Sequence, residues 1–235
     1  MSYSSFPPMV SAISYVHKLE AVVDPTKSFK FQQLLASLRR SAKSGDSRQS
    51  MTHNILLLIL DQLSTAVSSV YECTLFRAMF LFAFHFGLRL GEITDSPHNL
   101  LRDSISISAT RLEVTFSSFK HAVGPPVTHG VETSFSRLCP VAAMSAYLAF
   151  RGVKPGPLFA LGGGAVKRHV FSRILRSLLV KCGLKMRITS HSFRIGAATW
   201  WAHLKYSEAQ IKRLGRWRSN AFLKYLRGPV VHPSS

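Results

Sequence analysis

Apolar residues recur along most of this chain at the three-to-four-residue spacing of a helix, and between residues 105 and 135 at every second position. Val10, Ile13, Val16 and Leu19 mark one amphipathic helix and Phe31, Leu34, Leu35 and Leu38 a second, with a break at Asp24-Pro25. A polar stretch with Gly45, Ser41 to Ser50, reads as a linker. Beyond it the composition turns apolar, and Asn54–Ser69 and Glu72–Phe86 read as two strongly apolar helices, the second ending near Gly87. The period then changes. Ile105 and Ile107 alternate with serines, and Leu112, Val114 and Phe116 alternate with Arg111, Glu113 and Thr115, the pattern of half-buried strands. A turn from Lys120 to Pro126 leads to a third strand, Val127 to Phe135.

Helical spacing returns at Pro140, a favourable first helical residue, and runs to Arg151. Leu158–Leu161 is a short apolar piece before Gly162-Gly163-Gly164; no Lys-Ser or Lys-Thr pair follows as a phosphate loop requires, so this reads as a flexible turn. Val166–Cys182 reads as a helix burying Phe171, Leu175, Leu178 and Leu179. Three short helices close the chain. Thr189 or Ser190 caps the first, Ser207 with Gln210 forms a capping box for the second, which Gly215 ends, and Ser219 or Asn220 caps the third, which carries Tyr225. The fold class is therefore mainly α with a small antiparallel β-sheet. The most apolar window, Leu75–Leu90, is interrupted by Arg77, His85 and Arg89 and is shorter than the roughly 20 residues of a membrane span, so it reads as a buried helix.

Composition narrows the class of partner. Hydrophobic residues make up 46% of 235, enough for a sizeable core, and 30 Lys and Arg against 11 Asp and Glu leave a formal charge of +19. A surplus of that size favours a polyanion, nucleic acid ahead of a membrane surface, over a small-molecule substrate. Cys73, Cys139 and Cys182 are far apart and odd in number, which argues against a metal site or a disulfide framework and for a reducing compartment. The opening Met-Ser-Tyr-Ser-Ser-Phe-Pro-Pro has no basic stretch followed by an apolar one, so no secretory signal is expected. The expected location is nuclear in a eukaryote and cytoplasmic or nucleoid otherwise.

The candidate chemistry gathers near the C-terminus. A spacing of three puts His191 and Arg194 on one helix face beside an electropositive N-terminus, a good place to hold a phosphate. Gly215-x-Trp217 follows, then Tyr225. Earlier, Gly87-Leu-Arg89-Leu-Gly91-Glu92 sets an arginine in a turn with an acid three residues on, which by itself also reads as a simple ion pair. His191-x-x-Arg194, Gly215-x-Trp217 and Tyr225 resemble the C-terminal signature of the tyrosine recombinases, the phage-integrase-like enzymes that break and rejoin DNA. The wording is similar to Gly-His-Ser-Phe-Arg-Ile-Gly-Ala-Ala and Leu-Gly-Arg-Trp-Lys-Ser of the Crypton and DIRS-like elements, with Ser190 and Arg218 here replacing a Gly and a Lys.

That resemblance implies a site-specific recombinase of duplex DNA working through a 3′-phosphotyrosine, with no cofactor and no metal. It implies catalytic roles for Arg89, Glu92, Lys120, His191, Arg194, Trp217 and Tyr225. Tyr225 is the nucleophile, Arg89 and Arg194 bind the non-bridging oxygens, His191 accepts a proton or binds the phosphate, and Trp217 donates its indole N–H. Lys120, on a hairpin, is the acid for the leaving oxygen, although its wording Ser-Ser-Phe-Lys-His departs from Ser-Lys-Thr. The domains expected are 1–43, a partial helical core-binding domain, 44–52, a linker, and 53–235, the catalytic domain; two helices packed on one main domain are the plainer alternative. Lys167, Arg168, Arg173, Arg176, Arg216 and Arg218 are expected on the DNA-facing surface. The family also implies contacts between protomers in a tetrameric synapse, which the prolines after Tyr225 oppose as a long exchanged helix. Type IB topoisomerases share this chemistry. A domesticated, non-recombining DNA-binding protein is the alternative function; a basic protein of chromatin or ribosomes fits the charge but leaves the His-Arg-Trp-Tyr order unexplained.

Overall fold

A computed structural model describes residues 6–41, 48–118 and 125–226 of the chain. It divides into two compact units, Met1–Ser47 and Arg48–Ser235. In the first, helices α1 (Phe6–Leu19) and α2 (Phe29–Ser41) flank a 3-10 turn at Pro25–Lys27. Asp24 organises that turn, its carboxylate accepting hydrogen bonds from the Thr26 N–H (2.9 Å), the Thr26 hydroxyl (2.6 Å) and the Ser14 hydroxyl (2.6 Å). Bonds from Ser14 and Thr26 favour the charged form and draw its pKa down to about 2. Among the described residues of this unit only Thr26 is buried, so its helices share no apolar core of their own.

The second unit is built around α4 (Val70–His85), which packs against α6 (Pro140–Arg151) and α8 (Ser190–His203). Its residues 75, 76 and 78–84 are all buried, so the helix is apolar on every side, as a central helix must be. Phe80 lies at its centre, edge-on to Phe171 of α7 (Arg168–Lys181) at 5.2 Å and stacked on Phe193 of α8 at 5.6 Å. Preceding it, α3 (His53–Asp61) is capped by Thr52, whose side chain accepts from Ile55 N at 3.3 Å. The helix expected over 54–69 stops at Asp61 and gives way to a 3-10 turn at Leu63–Thr65. Ser69 caps α4 instead of continuing α3, its hydroxyl accepting from Glu72 N at 3.1 Å. Among the described residues no helix is long and apolar enough to cross a membrane.

The alternating stretch forms a three-stranded antiparallel sheet, β1 (Ile105–Ile107), β2 (Arg111–Phe116) and β3 (Val127–Glu132), in that spatial order. Leu112, Val114 and Phe116 of β2 are buried, as the period of two requires. Its pairing with β3 runs from Arg111 opposite Glu132 to Phe116 opposite Val127. The third strand ends at Glu132, three residues earlier than its alternation suggests, where Thr133 N bonds back to Thr110 O. The glycine run is a tight hairpin and not a loose turn: β4 (Ala160–Leu161) pairs with β5 (Gly164–Ala165), and the two residues between, Gly162 and Gly163, have φ of 62° and 84°. Two consecutive positive φ values fit a turn that glycine makes without strain.

Candidate active site

The chain leaves α4 through Gly87, whose φ of 55° turns the backbone sharply and sets up Arg89 as the residue before the short helix α5 (Leu90–Ile93). Glu92 reaches back to that start: its Oε2 accepts the Arg89 N–H at 2.8 Å and its Oε1 faces Arg89 Nη1 at 3.4 Å. The Glu92 carboxylate is buried, while the Arg89 side chain keeps 28% of its surface exposed. Arg216, from the turn after α9 (Glu208–Leu214), enters from the interior and places Nη2 2.9 Å from Glu92 Oε2.

Arg194 is the largest fully buried side chain among the described residues, 1% exposed. It sits in α8, whose start is secured by the Ser192 hydroxyl accepting from Thr189 N at 3.0 Å. Its Nη1 donates to Gly87 O and its Nη2 to Gly215 O, and its Cζ lies 4.1 Å from the centre of the Trp217 ring. One arginine thus ties the turn after α4 to the turn after α9. Gly215 makes this possible by having no side chain, since a Cβ there would stand 1.6 Å from the Trp217 ring. Tyr225 ends a 3-10 turn, Asn220–Tyr225, where a further helix was expected. Its ring lies 5.0 Å from that of His191, edge-on at 70°, and 5.8 Å from that of Trp217. Its carbonyl accepts the Thr199 hydroxyl of α8 at 3.0 Å.

The electrostatics are those of an anion site. Burial pushes the Arg194 pKa down to about 9, and repulsion by Arg89 and Arg216 adds to this, while Glu92 and Tyr225 oppose it. Burial alone would raise the Glu92 carboxyl, but Arg216, the Arg89 N–H, Arg194 and Arg89 together bring it below the ordinary carboxylate range. One carboxylate stands among three guanidinium groups, which leaves a local surplus of positive charge. Each terminal nitrogen of Arg194 carries one N–H beyond its carbonyl contact, but the side chain is buried; of the three guanidinium groups it is Arg89 that opens to solvent.

Six of the seven residues expected in the site, Arg89, Glu92, His191, Arg194, Trp217 and Tyr225, come together here from segments far apart in sequence. Lys120 lies outside the described residues, between the end of β2 and the start of β3. Among the residues expected on a DNA-facing surface, Lys167, Arg168, Arg173, Arg176 and Arg218 are exposed, with Lys167 ion-paired to Asp95. Arg216 must be corrected. It is 6% exposed, pairs with Glu92 and lies with Cζ 3.8 Å from the centre of the Phe116 ring, so it faces the interior and not a ligand surface. The reason is its backbone, whose φ of 54° turns the side chain inward between two exposed neighbours in sequence, Arg213 and Arg218. No local sequence signal separates it from those arginines. His129 of β3 was also missed, although the period of two places it on the inner face with Val127 and Val131. It is buried beside Arg216, and burial first, then the charges of Arg216 and Arg213, hold its pKa down to about 4 against a hydrogen bond with the Arg213 backbone.

No protein-family model matches this chain, and no curated protein sequence matches it. Solved structures do. A lambda integrase dimer bound to a COC′ core site aligns with a TM-score of 0.65 at 17% identity, over 95% of this chain and 59% of that one. The Tn1549 transposon integrase (residues 82–397) in complex with circular intermediate DNA gives 0.62 at 12%, over 98% and 77%. The XerH site-specific recombinase bound to its difH substrate gives 0.58 at 12%, over 75% of this chain and 49% of that one. The chain therefore spans about half the length of the XerH recombinase it matches. Its fold, mostly helical with a small antiparallel sheet, is that of the tyrosine recombinase catalytic domain.

Proposed function

We propose that this chain is a tyrosine recombinase that cleaves and rejoins duplex DNA through a phosphotyrosine, and that residues 48–226 carry its catalytic site. The observation that carries the reading is the surplus of guanidinium charge around Glu92, set beside Tyr225 between His191 and Trp217. Phosphoryl transfer without a metal needs a nucleophile, cations for the non-bridging oxygens and an acid for the leaving oxygen. In the reaction proposed, the Tyr225 oxygen bonds to phosphorus as the bond to the 5′-oxygen breaks. The tyrosine proton passes to His191, the departing oxygen takes a proton from Lys120, and Arg89 and Arg194 hold the charge on phosphorus oxygens. One phosphoester replaces another, so no nucleotide cofactor is consumed. The exposed basic residues at Lys167, Arg168, Arg173, Arg176 and Arg218 supply contacts to the backbone. Residues 1–43 then act as part of a helical DNA clamp, four protomers join two duplexes in the synapse, and the gene derives from a mobile element.

Covalent trapping tests this. Incubated with a suicide duplex that loses a short strand on cleavage, the protein should form a denaturation-resistant adduct on the 3′ side of the nick. A protein that binds the duplex and never forms the adduct is a DNA-binding protein and not a recombinase. The acid is tested separately by replacing the bridging 5′-oxygen with sulfur, since a thiol of pKa about 8.5 leaves without a proton. Lys120→Ala should be poor on ordinary DNA and near the parent on the sulfur substrate, whereas Arg89→Ala and Arg194→Ala should fail on both. Equal activity, or equal failure, of Lys120→Ala on the two substrates assigns the acid elsewhere.

A further inference from the structure

Arg216 sits in the left-handed region at φ 54°, a conformation that costs a residue with a Cβ about 1–2 kcal/mol. Such a conformation persists where the surroundings over-determine it. Here they do: Nη2 binds Glu92 Oε2 at 2.9 Å, Nη1 faces Leu214 O at 3.2 Å and Phe86 O at 3.4 Å, and Cζ lies over the Phe116 ring, 3.8 Å from its centre. This buried side chain joins the end of α4, α5, the end of α9 and the last residue of β2, the segments that lead to Arg89 and Trp217.

The two oxygens of Glu92 are divided unequally. Oε2 takes Arg216 and the Arg89 N–H, and Oε1 takes only the long 3.4 Å contact with the Arg89 side chain. An arginine and a carboxylate left to themselves close into a two-pronged pair. With Oε2 occupied from inside, Arg89 does not complete that pair, and only its Nη1 reaches Glu92.

We propose that Arg216 is a positioning residue: by holding Glu92 from the interior, it keeps the Arg89 guanidinium from closing onto that carboxylate and free to bind a phosphate. Only the identity of the phosphate, a DNA phosphodiester, rests on the recombinase reading. Removing Arg216 leaves Arg89 as the one guanidinium within ion-pair distance of buried Glu92, with Arg194 acting only through its field, and Arg89 and Glu92 collapse together. Removing the Glu92 charge as well takes away the attraction, so the second substitution repairs the first. Two unrelated structural defects would add instead.

The test uses Arg216→Met and Arg216→Gln, each alone and with Glu92→Gln, read by two measurements. Phenylglyoxal labelling with mass spectrometry reports whether Arg89 is available, and single-turnover adduct formation on the suicide duplex reports chemistry. In the single variants Arg89 labelling should slow about tenfold and adduct formation fall about 100-fold, the loss typical of one misplaced charge-stabilising donor. In the double variants both should recover to within about tenfold of Glu92→Gln alone. Arg89 labelling as fast in the single variants as in the parent overturns the proposal, as does a double variant worse than either single. Arg216→Gln keeps a donor for the Leu214 and Phe86 carbonyls, so it carries the test when Arg216→Met does not fold; failure of both to fold makes Arg216 a structural clamp and overturns the proposal. A parent that shows the labelling pattern but forms no adduct refutes the recombinase reading and leaves the role of Arg216 standing.

Discussion

The large core of the second unit and the small cluster around Tyr225 are built differently. The first runs from Met51 to Phe193 and is filled mainly by leucines, isoleucines and phenylalanines from α3, α4, α7 and the sheet, with Val141, Ala143, Met144 and Tyr147 from α6. The second contains Ala197, Ala198, Trp201, Ile211, Trp217 and Phe222, with Leu214, Tyr225 and Leu226 packed on it. Helix α8 serves both, with Phe193 in the first and Ala197, Ala198 and Trp201 in the second. The parts that bind charge, Glu92 and Arg194, are anchored where burial is deepest. The tyrosine ends a 3-10 turn whose described contacts include aromatic packing on Trp217 and His191 and a hydrogen bond from Thr199. A segment with few buried contacts opens at lower free energy than the core it rests on. Glu92 and Arg194 are therefore tied to the large core, while the proposed nucleophile, Tyr225, rests on the smaller cluster.

Replacing the nucleophile separates these regions most completely. Tyr225→Phe should abolish the covalent adduct, while unfolding stability changes by less than about 0.5 kcal/mol because the half-buried ring still packs. Denaturing gels and urea titration read the two effects. An adduct that survives would move the nucleophile elsewhere, with exposed Tyr206 the nearest tyrosine in sequence.

Next in size are matched truncations. Phe80 and Phe222 are both buried, but Phe80→Ala empties the centre of the large core and should lower global stability by about 3–5 kcal/mol. Phe222→Ala should instead act locally, with a global loss under about 2 kcal/mol, faster amide exchange over residues 211–225 and adduct formation slowed about tenfold. Equal global losses, with uniform exchange, would mean that the two clusters unfold as one unit.

Acid should weaken both regions by a smaller amount. His85, whose Nε2 lies 3.0 Å from Leu138 O beside the large core, and His129, next to Arg216 beneath the site, both have pKa values lowered to about 4, in each case chiefly by burial. Between pH 6.5 and 4 the unfolded chain takes up protons that the folded chain refuses, so stability falls as pH drops through that window and levels off below it. The loss should be on the order of 2–3 kcal/mol for each histidine. Urea titrations of His85→Gln and His129→Gln from pH 7 to 4 should each remove one share; an unchanged pH profile in both would refute the buried neutral state.

Much of the frame was legible in sequence because its signals are local. The all-round apolar run of α4, the alternation of β2, Pro140 at the start of α6 and the Ser207–Gln210 capping box each state their own structure. The misreadings fell where two local rules compete, as where Ser69 takes over as a cap and shortens the preceding helix, or where two glycines close a hairpin of two-residue strands. In the site, the placing of His191, Arg194, Trp217 and Tyr225 at helix ends and turns pointed to one ligand and the resemblance added Arg89 and Glu92, while the inward face of β3 offered His129 and was passed over.

What the sequence by itself determined is the set of elements and the sign of the charge, since helix period, strand alternation and capping depend on neighbours a few positions away; the group of residues expected to meet came from the resemblance to the tyrosine recombinases. Only the tertiary structure decided how the arginines divide their work. Arg213, Arg216 and Arg218 are equivalent in a sequence, yet Arg216 alone of the three is buried, because a positive φ turns it toward a carboxylate 124 residues earlier in the chain. Likewise Arg194 gains its two carbonyl partners from turns at Gly87 and Gly215 that are brought together by packing. Burial and the pairing of charge depend on which distant segments fold against one another, and no local pattern carries that information.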